Sequence, residues 1–241
     1  MTWLWRICFS LLLASAAVAA VVSGSVRLAD SQVPAVHGGK DYSGVIVWLE
    51  PVHPVEAPAA PARPATARME QRSKRFIPHV LAIQAGSQVY FPNLDPIFHS
   101  AFSNFSGQLF DLGLYAPGTG RTITFNRTGI VRVFCNIHPT MSAVIMVLRD
   151  PWFAVTDARG AFRIPDVPAG EYRLRIFHER AAEKTLLALE RTVAVPPEDL
   201  ALPVIRVSES GFVEGPHKNK YGHDYPPDSQ DHSDYRGGGR R

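Results

Sequence analysis

The chain has 241 residues, of which 46% are hydrophobic and 20% are charged, and its formal net charge is +3. This length suits one large domain or two modest ones. The charge is only mildly basic, the basic residues collect around 63–75 and 218–241, and no nucleic-acid-binding motif accompanies them. We therefore expect no nucleic-acid partner.

The N-terminal segment has the form of an export signal. Arg6 precedes an apolar stretch from Ile7 to about Ala20, and Ala17-Val18-Ala19 is a small-residue cleavage site. We predict a signal peptide over 1–19 and a periplasmic mature chain, with an uncleaved N-terminal anchor as the alternative. No later segment is long and apolar enough to span a membrane, so we expect no span in the mature chain.

Short β-branched and aromatic runs between turn signals predict an all-β fold. The first strands fall within 20–50, and 51–74 is a linker whose prolines disfavour both helix and sheet. Strand-like runs continue through 75–149 and 150–208. The polar tail, 209–241, is predicted to be disordered.

One cysteine, Cys135, remains after the predicted signal peptide is removed, because Cys8 lies within that peptide. A single cysteine forms no intramolecular disulfide, and a free thiol in an oxidising compartment is a liability unless it is buried or metal-bound. A buried structural cysteine is the alternative. The neighbours favour a metal: His138 follows three residues later, Met141 three beyond that, and His99 lies upstream.

Two imidazoles, one thiolate and a thioether form the ligand set of a trigonal blue-copper centre. We therefore predict that His99, Cys135, His138 and Met141 bind one copper ion and that the protein carries electrons. Cys135 ends one predicted strand and Met141 precedes the next, whereas His99 arrives from a separate loop. Zinc could occupy the same ligands.

These motifs resemble those of cupredoxins, the plastocyanin and amicyanin family, over Arg75–Leu148. The spacing Cys-x2-His-x2-Met, with proline directly after the histidine, is most similar to amicyanins. The arrangement as a whole resembles exported cupredoxin-like proteins that are labelled methylamine utilization proteins. The matching stretches are Phe91-Pro92-Asn93-Leu94-Asp95, Phe110-Asp111-Leu112-Gly113, Thr124-Phe125 with Gly129, and Cys135 to Met141.

The resemblance implies a Greek-key β-sandwich and a type 1 copper site. His99 and His138 would be imidazole ligands, Cys135 the thiolate and Met141 the long axial ligand. His138 would be the more exposed ligand and the exit for the electron. Cupredoxins commonly have asparagine after the first ligand histidine, where it ties the two ligand loops together. Ser100 occupies that position here, and its shorter side chain leaves the rigidity of the site in doubt.

A second resemblance covers 150–208. A Thr-Asp-x-x-Gly turn at Thr156–Gly160 and a Pro-x-Gly-x-Tyr strand entry at Pro168–Tyr172 resemble a carboxypeptidase regulatory-like, transthyretin-type β-sandwich. That family implies a strand pair, which Ser23 to Leu49 would supply, with the cupredoxin inserted after it. The alternative is that the N-terminal strands extend the cupredoxin sheet.

The predicted function is single-electron transfer between a redox protein donor and acceptor. Copper storage or delivery is one alternative, and a non-redox module that binds carbohydrate or protein through the second sandwich is another. We predict no enzymatic activity, because a nucleophile elbow, a phosphate loop and a two-histidine zinc helix are all missing from the sequence. The tail histidines, His217, His223 and His232, are spaced too loosely to indicate a metal site.

Overall fold

The computed structural model describes residues 19–55, 65–104, 107–212 and 217–226. Almost all of the predicted signal peptide (1–19) and the central part of the predicted linker (51–74) lie outside the described residues. Within the described residues, no helix is long and apolar enough to cross a membrane.

Short strands joined by turns make up most of the described chain, and this confirms the all-β prediction. The two short helices are α1 (Pro34–His37) and α2 (Glu183–Leu189). The strands are β1 (Ala19–Ala29), β2 (Ile46–Pro51), β3 (Thr66–Arg68), β4 (Glu70–Arg72), β5 (Arg75–Ile77), β6 (Val80–Gln84), β7 (Ser87–Pro92), β8 (His99–Ser103), β9 (Phe110–Tyr115), β10 (Gly120–Phe125), β11 (Gly129–Phe134), β12 (Ser142–Leu148), β13 (Phe153–Val155), β14 (Ala161–Pro168), β15 (Gly170–Phe177), β16 (Arg191–Val195), β17 (Leu200–Ala201) and β18 (Ile205–Ser208).

The strands form two sandwiches. In the first, called the site sandwich, the sheet β6-β12-β11-β8-β9 faces the sheet β10-β7-β3. In the second, called the distal sandwich, β14-β1-β17, with β18 also on β1, faces β13-β2-β15-β16. The N-terminal strands β1 and β2 thus pair with β14 and β15. In the sequence, all strands of the site sandwich lie between the two partners of each pair.

Each sandwich encloses its own apolar core because inward side chains alternate with outward ones along the strands. In β14 of the distal sandwich, Phe162, Ile164 and Val167 are buried, and they pack around Trp152. Burying such a side chain stabilises the fold by roughly 1.5–3 kcal/mol. The site sandwich is filled in the same way, and its largest core residues are Phe76, Phe91, Phe125, Met69, Met141 and Ile145.

Strand β12 joins the two sandwiches because both of its faces are buried. Its alternate residues Ala143, Ile145 and Val147 belong to the core of the site sandwich. The residues between them, such as Val144 and Met146, pack in a separate cluster with Ile46 and Phe177 of the distal sandwich. Continuous hydrophobicity along this strand therefore reflects two different partners.

A histidine adds a polar link across the same junction. His79 Nδ1 donates to the carbonyl of Ser142 at 3.0 Å, and His79 Nε2 lies 2.7 Å from Glu179 Oε1. Both partners are acceptors, so the two bonds together require the imidazolium form. The hydrogen bond to Glu179 outweighs burial and raises the pKa of His79.

Disorder was predicted for 209–241, but the described tail residues, 209–212 and 217–226, contact both sandwiches. Glu209 is buried and accepts hydrogen bonds from His178 and Arg180. Further on, the segment 217–226 lies against the site sandwich, where the backbone N–H of Lys220 donates to Asn136 Oδ1 at 2.9 Å. Polar composition predicted disorder, but charge pairing and side-chain hydrogen bonds to distant strands hold these residues in place.

We expect a His79→Gln variant to be slightly less stable than the wild type, and we expect this loss of stability to be larger at low pH. A raised pKa in the folded state means that the stabilisation is fully present below the unfolded-state pKa, about 6.5. It is lost as the pH rises through the folded-state pKa. Because His79 is about half exposed, its pair with Glu179 should contribute no more than about 1 kcal/mol.

Urea unfolding of both proteins at about pH 5.5 and about pH 8.5 checks this, since these values lie either side of the unfolded-state pKa. His37→Gln, a change of the same kind at an exposed histidine, is the matched control. A stability difference between wild type and His79→Gln that grows with pH would contradict the assignment.

Candidate metal centre

The centre is built around His99, the first residue of β8, whose side chain is fully buried. Its Nδ1 lies 3.1 Å from His138 Nδ1 and 3.9 Å from Cys135 Sγ. Cys135 Sγ lies 3.6 Å from His138 Nδ1. The three predicted donors therefore converge at one end of the site sandwich, and all their ligand atoms lie within 4.8 Å of one another.

These separations fit a single metal ion. Metal–nitrogen bonds of about 2.0 Å and metal–sulfur bonds of about 2.3 Å allow two donors of one ion to lie up to roughly 4.3 Å apart. All three measured distances, 3.1, 3.6 and 3.9 Å, are shorter than the corresponding limit. A set of one thiolate and two imidazoles is soft enough for copper and also compatible with zinc. The group could thus hold a metal ion.

The ring of His99 is oriented by Asp95, which the sequence analysis did not single out as a functional residue. Asp95 Oδ2 accepts a hydrogen bond from His99 Nε2 at 2.8 Å. Nε2 therefore carries a proton, and Nδ1, the nitrogen that a metal would use, faces Cys135 and His138. A carboxylate placed behind a histidine in this way fixes the tautomer that a metal requires.

Asp95 is itself held by backbone groups. The N–H groups of Ser73 and Lys74, in the turn between β4 and β5, donate to its two carboxylate oxygens at 2.6 and 2.9 Å. Ser73 and Lys74 both have positive φ, 53° and 54°, which turns successive N–H groups toward the carboxylate. Burial acts to raise the pKa of Asp95, but these N–H groups and His99 outweigh it, so the pKa is lowered.

Ser100 connects the two segments that carry the donors. Its Oγ accepts a hydrogen bond from the N–H of Asn136 at 2.7 Å and lies 3.7 Å from Cys135 Sγ. The hydroxyl proton is thus free to point at the sulfur. Gln71 Nε2 donates to the carbonyl of Ser100 at 3.0 Å and fixes that residue from the other side. The shorter side chain of serine therefore still makes the link for which cupredoxins commonly use asparagine.

Met141 closes the loop that holds Cys135 and His138. The N–H of Cys135 donates to the carbonyl of Met141, and the N–H of Met141 donates to the carbonyl of His138, both at 3.1 Å. Met141 is fully buried and shares the core of the site sandwich with Cys135. Its role as an axial ligand stays a prediction.

The donors form a charge pair in the interior. Burial acts to raise the pKa of the Cys135 thiol, but hydrogen bonds from His138 and His99 outweigh it and lower the pKa from 9.0 to about 5. Burial likewise acts to lower the pKa of His99, yet the neighbouring Cys135 and Asp95 raise it. The thiolate, which is the form that binds metals, is therefore available near neutral pH.

Exposed apolar side chains lie in the two segments that carry the histidines. Leu94 and Phe98 precede His99, and Ile137 precedes His138. Phe98 is the most exposed of the three, at 52%. Apolar residues that stay in solvent beside a polar site are typical of contact surfaces for other proteins.

No protein-family model matches this chain, and no curated protein matches it. Part of the chain is similar to solved cupredoxin structures. A copper-containing nitrite reductase from Thermus scotoductus SA-01 is 28% identical over 40% of this chain and 25% of its own length, with a TM-score of 0.35. The match thus spans only a quarter of that reductase.

Two smaller structures are covered almost completely. A purple cupredoxin from Nitrosopumilus maritimus is 21% identical over 34% of this chain and 99% of its own, with a TM-score of 0.32. Amicyanin from Paracoccus versutus is 22% identical over 42% of this chain and 97% of its own, with a TM-score of 0.31.

We expect the Cys135 thiol of the metal-free protein to ionise with a midpoint near pH 5, far below its ordinary value of 9.0. The two imidazoles cause this shift, so His138→Gln should move the midpoint upward. The ultraviolet absorbance of the thiolate, measured against a Cys135→Ala blank, reports the titration.

His223→Gln, which alters an exposed tail histidine, is the matched control and should leave the midpoint unchanged. A wild-type midpoint close to 9.0 would show that the imidazoles do not stabilise the thiolate.

Proposed function

We propose that this protein is an exported, non-catalytic electron carrier that holds one type 1 copper ion. His99, Cys135 and His138 would hold the metal, and Met141 would be the weak axial ligand. The observation that carries the proposal is the convergence of one thiolate and two imidazole nitrogens within 4.8 Å inside a β-sandwich. A bound copper ion would supply the one-electron change between Cu(II) and Cu(I).

The residues around the donors suit such a carrier. Asp95 holds His99 in the tautomer that presents Nδ1, and Ser100 bridges the two donor segments. The donor atoms of His99 and Cys135 are shielded from water by burial. A frame that keeps its hydrogen bonds whether or not the electron is present needs little rearrangement on electron transfer.

Copper storage or delivery is the nearest competing function. Proteins that release a metal need ligands that solvent or a partner can reach, whereas His99 and Cys135 are completely buried. The hydrogen bonds from Cys135 to Met141 and from Met141 to His138 also close the loop tightly. A retained ion agrees better with these features than an exchanged one.

Carbohydrate binding by the distal sandwich finds little support. Sugar-binding surfaces use exposed aromatic rings, but Trp152 and Tyr172 are buried and contact each other edge to face at 5.5 Å. We propose that the distal sandwich is a carboxypeptidase regulatory-like module that supports the site sandwich through β12. A link to methylamine utilization rests on the sequence resemblance alone.

The proposed partners are redox proteins, a donor and an acceptor. They would dock on the exposed apolar side chains Leu94, Phe98 and Ile137, which lie in the same segments as the two histidines. The proposed location is the periplasm, on the strength of the export signal in the sequence.

Addition of one equivalent of Cu(II) to the purified mature protein should produce an intense blue or green absorption band that ascorbate bleaches. The band arises from charge transfer between the Cys135 thiolate and copper, so Cys135→Ala should lack it completely. Cys135→Ala that keeps the band, or a wild-type protein that stays colourless, would refute the proposal. Addition of Zn(II) beforehand tests for competition at the same ligands.

Met141→Leu should keep the copper and its colour but raise the reduction potential. Loss of the weak sulfur donor disfavours Cu(II) relative to Cu(I), and the axial ligand is a known determinant of the potential. Cyclic voltammetry measures the shift. Met146→Leu is the matched control, because Met146 packs in the junction between the sandwiches rather than beside Cys135. Equal potentials for the wild type and Met141→Leu would show that Met141 is not axial.

A further inference from the structure

The tail segment 217–226 contacts the loop that carries Cys135 and His138. The hydroxyl group of Tyr225 donates a hydrogen bond to the carbonyl of Cys135 at 2.6 Å. The backbone N–H of Lys220 donates to Asn136 Oδ1, the side chain of the next residue in the loop. Some 90 residues thus separate the two sides of these contacts in the sequence.

Tyr225 is held in position by its own neighbours. His217 stacks on Phe134, the last residue of β11, with the ring centroids 4.4 Å apart and the planes 28° from parallel. The ring of Tyr225 meets His217 edge to face at 5.2 Å. The only hydroxyl proton of Tyr225 points at Cys135, so the 3.2 Å contact with His217 Nδ1 has the imidazole as donor.

The middle of the segment is anchored on β9. Lys220 Nζ donates to Asp111 Oδ2 at 2.8 Å. Next to Lys220, the side chain of Asn219 accepts hydrogen bonds from the N–H groups of Tyr221 and His223, which folds the segment into a compact turn. The segment therefore has contacts with two strands as well as with the loop.

The bond from Tyr225 acts on the peptide unit between Cys135 and Asn136. The carbonyl of this unit accepts from Tyr225, and its N–H donates to Ser100 Oγ. In a trans peptide the C=O and N–H groups point in opposite directions. The tail and β8 thus hold the unit from opposite sides, immediately next to the sulfur donor.

We propose that segment 217–226 is an intramolecular strap for the metal centre and that Tyr225 is a positioning residue for the thiolate of Cys135. Tyr225 touches neither the sulfur nor the imidazoles of the site, and it acts through the Cys135 carbonyl. The strap restrains the loop in the metal-free protein. The expectation for the copper-loaded protein rests on the function proposed above. There the hydrogen bond from the phenol would draw electron density from the cysteine and so disfavour Cu(II).

The test uses Tyr225→Phe in the full mature chain, because this change removes only the hydroxyl group. Tyr221→Phe is the matched control, since it is the same change in the same segment at a ring that is 70% exposed. The first measurement is the rate at which iodoacetamide alkylates Cys135 in the metal-free protein. Loss of one hydrogen bond should speed alkylation of Tyr225→Phe about fivefold, the factor for a typical net contribution of about 1 kcal/mol.

The second measurement is the reduction potential of the copper-loaded protein. We expect a lower potential for Tyr225→Phe and an unchanged potential for Tyr221→Phe, an effect that loosening of the chain elsewhere would not produce. Equal alkylation rates in Tyr225→Phe and wild type would overturn the strap, and equal potentials would overturn the positioning role. Alkylation requires no metal, so it tests the strap even if the protein takes up no copper.

Discussion

The hydrogen bond between Asp95 and His99 determines what the centre can do. An imidazole has two ring nitrogens, and only the one without a proton can donate a lone pair. By accepting from Nε2 at 2.8 Å, Asp95 leaves Nδ1 as the donor that faces Cys135 and His138. The carboxylate depends in turn on the N–H groups of Ser73 and Lys74. A turn that is distant in the sequence from the loop of Cys135 therefore fixes the orientation of His99.

The distal sandwich contributes to the same frame through β12. This strand begins directly after Met141, and its outward residues pack against strands of the distal sandwich. The carbonyl of Ser142, its first residue, also accepts from His79, which is paired with Glu179. The loop that carries Cys135 and His138 thus ends at a strand that is buried on both faces. Packing of this kind restricts movement at the point where the loop ends.

The fold class and the closeness of Cys135 to His138 could be predicted from the sequence because both depend on local patterns. Short β-branched and aromatic runs between turn signals indicated strands, and the spacing of Cys135, His138 and Met141 indicated a loop of candidate ligands. Asp95 lies only four residues before His99, but its orienting role also depends on the distant turn at Ser73 and Lys74. The role of Ser100 depends on a contact between β8 and the loop after β11, which no local pattern reveals. The contacts of the described tail residues could not be predicted either, because they too join residues that are distant in the sequence. A polar segment such as 217–226 has no core of its own, and its anchors, Phe134 and Asp111, lie about 80 to 110 residues away.

The frame around the centre is complete without a metal. Protein groups hydrogen-bond to the residues that surround the donors, namely the carboxylate of Asp95, the hydroxyl of Ser100 and the backbone of Met141. Three lone pairs that point at one position in a buried site repel one another and are not solvated by water. This arrangement costs free energy unless a proton or a cation lies between them. The lowered pKa of Cys135 and the raised pKa of His99 favour a thiolate beside a protonated imidazole in the metal-free protein. A cation that replaces the proton would find the donors already placed, so binding would require little movement of the chain.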